Sequence, residues 1–600
     1  MSYNVTSIKQ LTTNNLMTSI TNQIRDKFRT VLMFDQNMLI LAALLGFFAG
    51  FASTFFRWMI EFFESIFSIK GFSLVGIPPQ VYPFLLPLMP MLGGFFIGLI
   101  CKFFPNAVKE NGVHKVMYAV ALNGGKVRKR TIASCAVTSS LTIGSGGSAG
   151  REGPTVQIGA AVGSTIGQLL HLSTERMRVL VGCGAAAGIA ASFNAPLAGV
   201  LFALEIILGD FTIHTFSPII IASVIGTVTG RALEGNEVTF NVPIHELVHP
   251  AEIIFYLVLG ILCGLVARLF TFIYFYTQQV FEEKLNIADL YKPAIGGLIV
   301  GMISISMPQI LGNGYEAMEQ ALTGQIFFGL AFLLIFMKII CTSITLGSGG
   351  MGGVFAPSLF IGAMLGTAYG SGVHFLFPTL SASAETYSVV GMGAVAGAVM
   401  QAPLTNILML FELTNDYTLI LPIMATCIAA SYTYQKFSKQ SIYVQNLLNK
   451  GINIRHGREA SIMNSIKVLD VMSTDITTIA QETPFRKILE TISYSKNFYF
   501  PVLDKEGDMT GILSFSDIRE VIFEEQLGDL LVAGELANNN VVSLTPQQNL
   551  NEAMEIFSQL DVDQLPVVRS EDKLKVIGIL SRSEMMASYN RAILVSGFER

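Results

Sequence analysis

GSGGSAGREGP at Gly144–Pro154 and GSGGMGGVFAP at Gly347–Pro357 are two copies of one eleven-residue pattern, 203 residues apart. Each interrupts long apolar sequence. A glycine-rich break among apolar segments offers little as packing, and inside a bilayer irregular backbone is tolerated only where it is buried in protein or lines a wet cavity. The copies end in Gly-Pro and Ala-Pro, and proline suits the first turn of a helix. Each therefore reads as a loop opening into a helix, with free N–H groups aimed at one point, which is an anion site. Two copies imply two halves building one pathway.

The surrounding composition sets the solvent. Of 600 residues, 51% are hydrophobic and 14% charged, where a soluble protein carries roughly a quarter charged residues. Apolar residues dominate from about Asn37 to about Tyr434, in segments such as Leu39–Phe56, Phe84–Phe104, Ile253–Phe275 and Phe327–Ile344. Each has close to the length a membrane-crossing helix needs. The chain reads as a polytopic α-helical membrane protein. Residues 1–36 are polar, and Lys9, Arg25, Lys27 and Arg29 precede the first span, which predicts a cytoplasmic N-terminus rather than a signal peptide. Cys101, Cys135, Cys183, Cys263, Cys341 and Cys427 stand singly, with no CxxC and no Cys/His cluster. They read as small buried hydrophobes, with neither a metal site nor a disulfide framework. A net charge of −5 points to no nucleic-acid partner.

A second pair of segments repeats at nearly the same offset. FNAPLAGVLFALE at Phe193–Glu205 returns as MQAPLTNILMLFE at Met400–Glu412, 207 residues on. An odd number of spans in each half would make the halves inverted. Val113–Leu122 and Pro196–Leu208 are too short to cross fully and read as broken helices. From Gly451 charged residues return. Residues 451–466 read as a linker and 467–600 as a small α/β domain that repeats internally: YFPVLDKEGDMTGILSFSDI at Tyr499–Ile518, then QLPVVRSEDKLKVIGILSRSEM at Gln564–Met585. Each unit reads as strand, turn, strand, helix, and Thr483-Pro484 and Thr545-Pro546 are each expected to open a helix upstream.

Both glycine loops also fit Gly-x-Gly-x-x-Gly/Ala, at Gly144, Gly146, Ala149 and Gly347, Gly349, Gly352. A dinucleotide fold would need a preceding strand and an acid about twenty residues on. The stretch through Leu170 has no acid beyond Glu152, and neither loop ends in the Gly-Lys-Ser/Thr of a P-loop. No nucleophile–base set points to an enzyme. Glu152 is the sharpest residue: an ionisable group at a helix start inside apolar sequence is a functional candidate. The features that stabilise its carboxylate would also stabilise a permeant anion, so the two can compete for one place.

GREGP at Gly150–Pro154, NAPLAG at Asn194–Gly199 and GGVFAP at Gly352–Pro357 resemble the signature segments of the CLC family of chloride channels and chloride/proton antiporters, and the C-terminal repeat resembles a tandem pair of CBS motifs. The resemblance implies an inverted-repeat domain over residues 37–450, in halves of about 37–235 and 250–450. It also implies a homodimer in lipid, in the plasma or inner membrane, with one pore per subunit and both termini cytoplasmic. Chloride is the implied ion, and no cofactor is required. Glu152 takes the gate position, supported by Gly150, Arg151 and Pro154. Gly153 and the amides of Val354 and Phe355 would face the anion. Asn111, before Gly112, stands where the family often has a serine donor, and Tyr443 stands where the family has its tyrosine donor. By spacing from Asn194, the proton-relay position of the family's antiporters falls on Ile206, which carries no proton; Glu205 and its mate Glu412 read as structural or interfacial. In the CBS pair, Thr483, Ser514, Asp517 and Ser581 are the positions implied for an adenine nucleotide, with Glu584 longer than Asp517. The leading expectation is channel-like conduction, sensitive to voltage or pH and regulated by the CBS module. The alternative is chloride/proton exchange without the usual relay acid. Lesser alternatives are a membrane-anchored nucleotide sensor and a fluoride-selective transporter, the latter because Asn111 departs from the family at the filter.

Overall fold

The computed structural model describes residues 6–67, 85–104, 112–235, 240, 249–452, 463, 466–495, 497–519, 521, 530–560, 562–569 and 575–598, with backbone alone for 6–36 and 593–598. The chain divides into two units, 1–451 and 452–600.

The described residues of the first unit form helices and the loops between them. Among the described residues six helices are long and apolar enough to cross a membrane: Asn37–Phe67 (the apolar part of Thr6–Phe67), Thr174–Phe193, Ile213–Glu234, Glu252–Lys284, Phe328–Gly347 and Phe355–Leu376. Ile40, Leu44, Phe47, Phe51 and Phe55 lie exposed along the first of them, as a lipid-facing surface requires. Shorter helices lie between: Leu88–Phe103, Val113–Leu122, Pro196–Phe202 with a π turn at Ala203–Leu208, Lys292–Ser304 and Pro403–Thr414. The span expected over Phe84–Phe104 is thus a helix of 16 residues.

Small residues let these helices meet backbone to backbone, the packing that bilayer-embedded helices favour. A Cβ on Gly159 would strike the Gly184 carbonyl and one on Gly184 the Gly159 carbonyl; Gly362 and Gly391 stand in the same reciprocal relation. The first pair joins Glu152–Leu169 to Thr174–Phe193, and the second joins Phe355–Leu376 to Ala384–Met400. Gly94 lies against the Pro293 carbonyl while Gly297 lies against that of Pro90, closing Leu88–Phe103 onto Lys292–Ser304. The Gly159–Gly184 contact of the first half recurs as Gly362–Gly391 in the second, and Gly94 and Gly297 make equivalent contacts across the halves, so both halves share one packing plan.

Among the described residues the second unit carries a three-stranded sheet, in the order Ile479–Ala480, Tyr499–Leu503, Met509–Ser514, and a two-stranded sheet of Gln564–Val568 and Val576–Ser581. The repeat holds down to register. Tyr499 faces Ser514 and Gln564 faces Ser581, and both hairpins shift register at the same point, after Val502 and after Val567. The helix Phe485–Tyr494 opens directly after Pro484. Its counterpart opens at Leu550, not at Pro546 as expected. The Thr545 N–H donates to Gln548 Oε1 (2.7 Å), and the Gln548 N–H donates to the Thr545 carbonyl (3.2 Å). That turn occupies the residues a helix would have used.

Candidate functional site: the paired glycine loops

The two glycine loops meet. The Gly150 N–H donates to the Gly353 carbonyl (2.8 Å), and the Gly353 N–H donates to the Gly150 carbonyl (2.7 Å). The Ser148 N–H donates to Thr345 Oγ1 (3.1 Å), and the Met351 N–H to Thr142 Oγ1 (3.0 Å). Each bond has its mate at the equivalent position of the other half. Both loops turn on a glycine at positive φ, Gly146 at 96° and Gly349 at 106°, which a residue with a Cβ resists. The loops deliver the N-termini of Glu152–Leu169 and Phe355–Leu376 to one place.

Glu152 fills that place. It is 2% exposed. Its Oε1 accepts from the Tyr315 hydroxyl (2.6 Å), and its Oε2 accepts from the Ala356 N–H (3.3 Å), in the first turn of the other half's helix. The carboxylate thus occupies a position an anion could take, at the positive end of a helix. The amide it meets is one residue beyond the expected Val354–Phe355 pair.

A cavity of about 280 Å³ lies beside it, lined among others by Gly112, His114, Gly153, Pro154, Val354 and Tyr443. A water molecule takes about 30 Å³ of liquid, so the cavity has room for an anion with several waters. The sequence-derived residues Gly153, Val354 and Tyr443 are brought together here. Phe355 is buried at the head of its helix, its ring 5.9 Å from that of Phe193. Asn111 lies outside the described residues; its neighbour Gly112 donates its N–H to Gln157 Oε1 (2.6 Å). Arg151 turns from the cavity. Its Nη2 donates to the Ser192 carbonyl (3.2 Å), and its guanidinium stands 5.1 Å from the Tyr315 ring centre and 5.7 Å from that of Phe193. Ile206 is buried in the π turn.

In the second unit, the Ser514 N–H and hydroxyl both donate to Asp517 Oδ2 (2.8 and 2.6 Å), and Ser581 stands likewise to Glu584 (3.4 and 2.8 Å). The Thr483 carbonyl accepts from the Ala533 N–H (3.0 Å).

Sequence reasoning missed two residues: Tyr315, which bonds Glu152, and Lys338, which bonds the turn before Tyr315. Tyr315 gave no signal, because its partner lies 163 residues away. Lys338 did give one: it is the single cation in the apolar run Phe328–Gly347, and intramembrane charges mark function.

Broken helices repeated in two halves, with helix N-termini converging inside an apolar body, define a polytopic membrane transport protein. The chain belongs to the CLC family: the profile of the voltage gated chloride channel family matches residues 93–435, and that of the CBS domain matches 468–524 and 533–590. It is 34% identical over 414 residues to the "Putative chloride channel protein ClcB-like" of Ralstonia nicotianae, covering 68% of this chain and 96% of that one. It is 31% identical over 420 residues to the H(+)/Cl(-) exchange transporter ClcA of Vibrio parahaemolyticus, covering 68% and 89%. The solved structure of a slow cyanobacterial Cl-/H+ antiporter superposes with a TM-score of 0.64 at 27% identity, over 69% of this chain and 97% of the other. The activity is therefore CLC-type chloride transport by an integral membrane protein, not an enzyme reaction.

Proposed function

We propose that chloride moves through the cavity beside Glu152, and that the Glu152 carboxylate is the gate. The observation that carries this reading is the seat of that carboxylate, held by a backbone amide at the head of the opposite repeat's helix. An arriving anion competes for the same donors, and protonation of Glu152 removes the charge that holds it there. Asn111, Gly153, Val354, Phe355 and Tyr443 would bind the chloride, with Gly150, Arg151 and Pro154 supporting the gate. The protein would work as a homodimer with one pore per subunit and both termini in the cytoplasm. The CBS pair would regulate it, with an adenine nucleotide held by Thr483, Ser514, Asp517 and Ser581.

Channel-like conduction is favoured by Ile206, a buried apolar side chain at the expected relay position. Exchange is the second reading, and it is favoured by the names of two of the relatives, an exchange transporter and an antiporter. Chloride efflux from liposomes with simultaneous proton recording separates the two. Proton movement against its gradient, driven by chloride, sinks the channel reading. Chloride flux with no accompanying proton flux sinks exchange.

A further inference from the structure

We infer that Tyr315 latches the Glu152 carboxylate shut, and that the buried Lys338 sets the turn that presents the latch; this rests on the reading of Glu152 as the gate.

Lys338 is fully buried on the helix Phe328–Gly347, where an ammonium is expensive. Its donors go to backbone carbonyls: Ile310 at 2.9 Å and Gly312 at 3.1 Å, with the Phe360 ring centre 4.8 Å away. Both carbonyls belong to the turn directly before Tyr315. The Gly312 N–H in turn donates to the Gly146 carbonyl (3.4 Å), tying the same turn to the first glycine loop. Gly314, at φ 79°, then starts the helix Tyr315–Leu322. A cation there therefore shapes the two carbonyls that precede the gate's hydroxyl partner.

The Tyr315 ring is itself fixed, edge-on to Phe240 with centroids 5.7 Å apart and beneath the Arg151 guanidinium. Only the hydroxyl reaches Glu152. A hydrogen bond donated to an ionised carboxylate is stronger than one to a neutral carboxyl. The latch therefore holds the charged gate and lets go of the protonated one. The titratable and charged groups that face Glu152 are Arg151, Tyr315 and, from the helix Ile442–Asn449, Tyr443.

Chloride efflux from liposomes holding the full chain, taken across a pH series, tests this. Tyr315→Phe keeps the ring and removes the donor; neutral-pH efflux should rise about tenfold, the worth of one such hydrogen bond, and half-maximal efflux should move to higher pH. Lys338→Met should shift the profile the same way, and Lys338→Gln, which keeps two N–H donors, should lie nearer the parent. Gly314→Ala presses a methyl on the Phe360 ring and the Lys338 ammonium, and disturbs the turn without changing a charge. An unshifted profile for Tyr315→Phe overturns the latch. An unshifted profile in whichever of Lys338→Met and Gly314→Ala folds overturns the role of Lys338. Glu152→Gln serves as the control. If it still responds to pH, the gate reading has failed; if it is flat and Tyr315→Phe is silent, only the latch has failed.

Discussion

Glu205 and Glu412 cap each other's half of the membrane unit. Glu205 accepts from the N–H groups of Leu404 (3.3 Å) and Thr405 (2.8 Å), and from the Thr405 hydroxyl (2.6 Å). Glu412 accepts from the N–H groups of Leu197 (2.9 Å) and Ala198 (2.8 Å). Each carboxylate thus satisfies the free donors of a helix opened by Pro403 or Pro196 and sits at its positive end. Glu205 lies beside Ile206 in sequence, yet its lone pairs are spent on structure.

A capping role predicts lost stability and unchanged coupling. Glu205→Ala and Glu412→Ala should each cost about 1 kcal/mol, the usual cost of losing a cap at a helix N-terminus, read as an earlier thermal transition of the detergent-solubilised protein. Proton movement per chloride, recorded in liposomes, should not change in Glu205→Gln. A changed ratio without a change in stability would instead make Glu205 part of a proton route.

The paired glycines at the loop junction predict opposite outcomes for one chemical change. A Cβ on Gly150 would overlap Glu152 Oε2, the end of a flexible side chain. A Cβ on Gly353 would meet the Gly153 backbone nitrogen at 2.8 Å, which cannot swing aside. Gly150→Ala should fold, expel the carboxylate, raise chloride flux at neutral pH several-fold and blunt its pH dependence. Gly353→Ala should lower the yield of monodisperse protein. Normal pH-dependent gating in a folded Gly150→Ala protein would contradict the assignment of the gate.

The loops and their repeat were legible because a glycine-rich break in apolar sequence has few physical uses, and because Gly150 and Gly353 keep equivalent places in both copies. Glu152 stood out by its charge in that setting. That Glu205 and Glu412 are structural could be expected, but their exchange of partners could not, since Glu412 reaches an amide 215 residues away. Tyr315 is an ordinary aromatic in an ordinary turn until the chain folds. Lys338 was visible as a charge out of place, but what it shapes depends on how the turn at Ile310–Gly312 packs. Local pattern reports burial and backbone conformation; it does not report which distant donor meets which acceptor.

Tyr443 is buried at the cavity wall, on a helix whose N-cap is the Ser441 side chain. As a hydroxyl donor to chloride, it should contribute about 1 kcal/mol of binding. Tyr443→Phe should therefore weaken chloride binding severalfold by titration calorimetry, because each 1.4 kcal/mol is about tenfold. The pH at half-maximal flux should stay in place, since Tyr443 does not hydrogen-bond the gate in this conformation. A moved pH profile with unchanged chloride affinity would transfer Tyr443 from the anion site to the gate.

The two CBS repeats differ where a ribose would be held. Asp517 and Glu584 both accept from the serine that ends the preceding strand, Ser514 or Ser581. Glu584 has one methylene more than Asp517, so the second site differs from the first in the reach of its carboxylate. If the module takes an adenine nucleotide, binding should occur once per chain, on the Asp517 side. Titration calorimetry of the full chain with ATP, ADP and AMP should give a stoichiometry near one. Asp517→Asn, which keeps the shape and removes the charge, should weaken binding by roughly tenfold, the order of a hydrogen bond to a charged group. Two equal sites, or binding unaffected by Asp517→Asn, would place the ligand elsewhere. No heat with any of the three nucleotides would leave the module as a docking platform rather than a sensor.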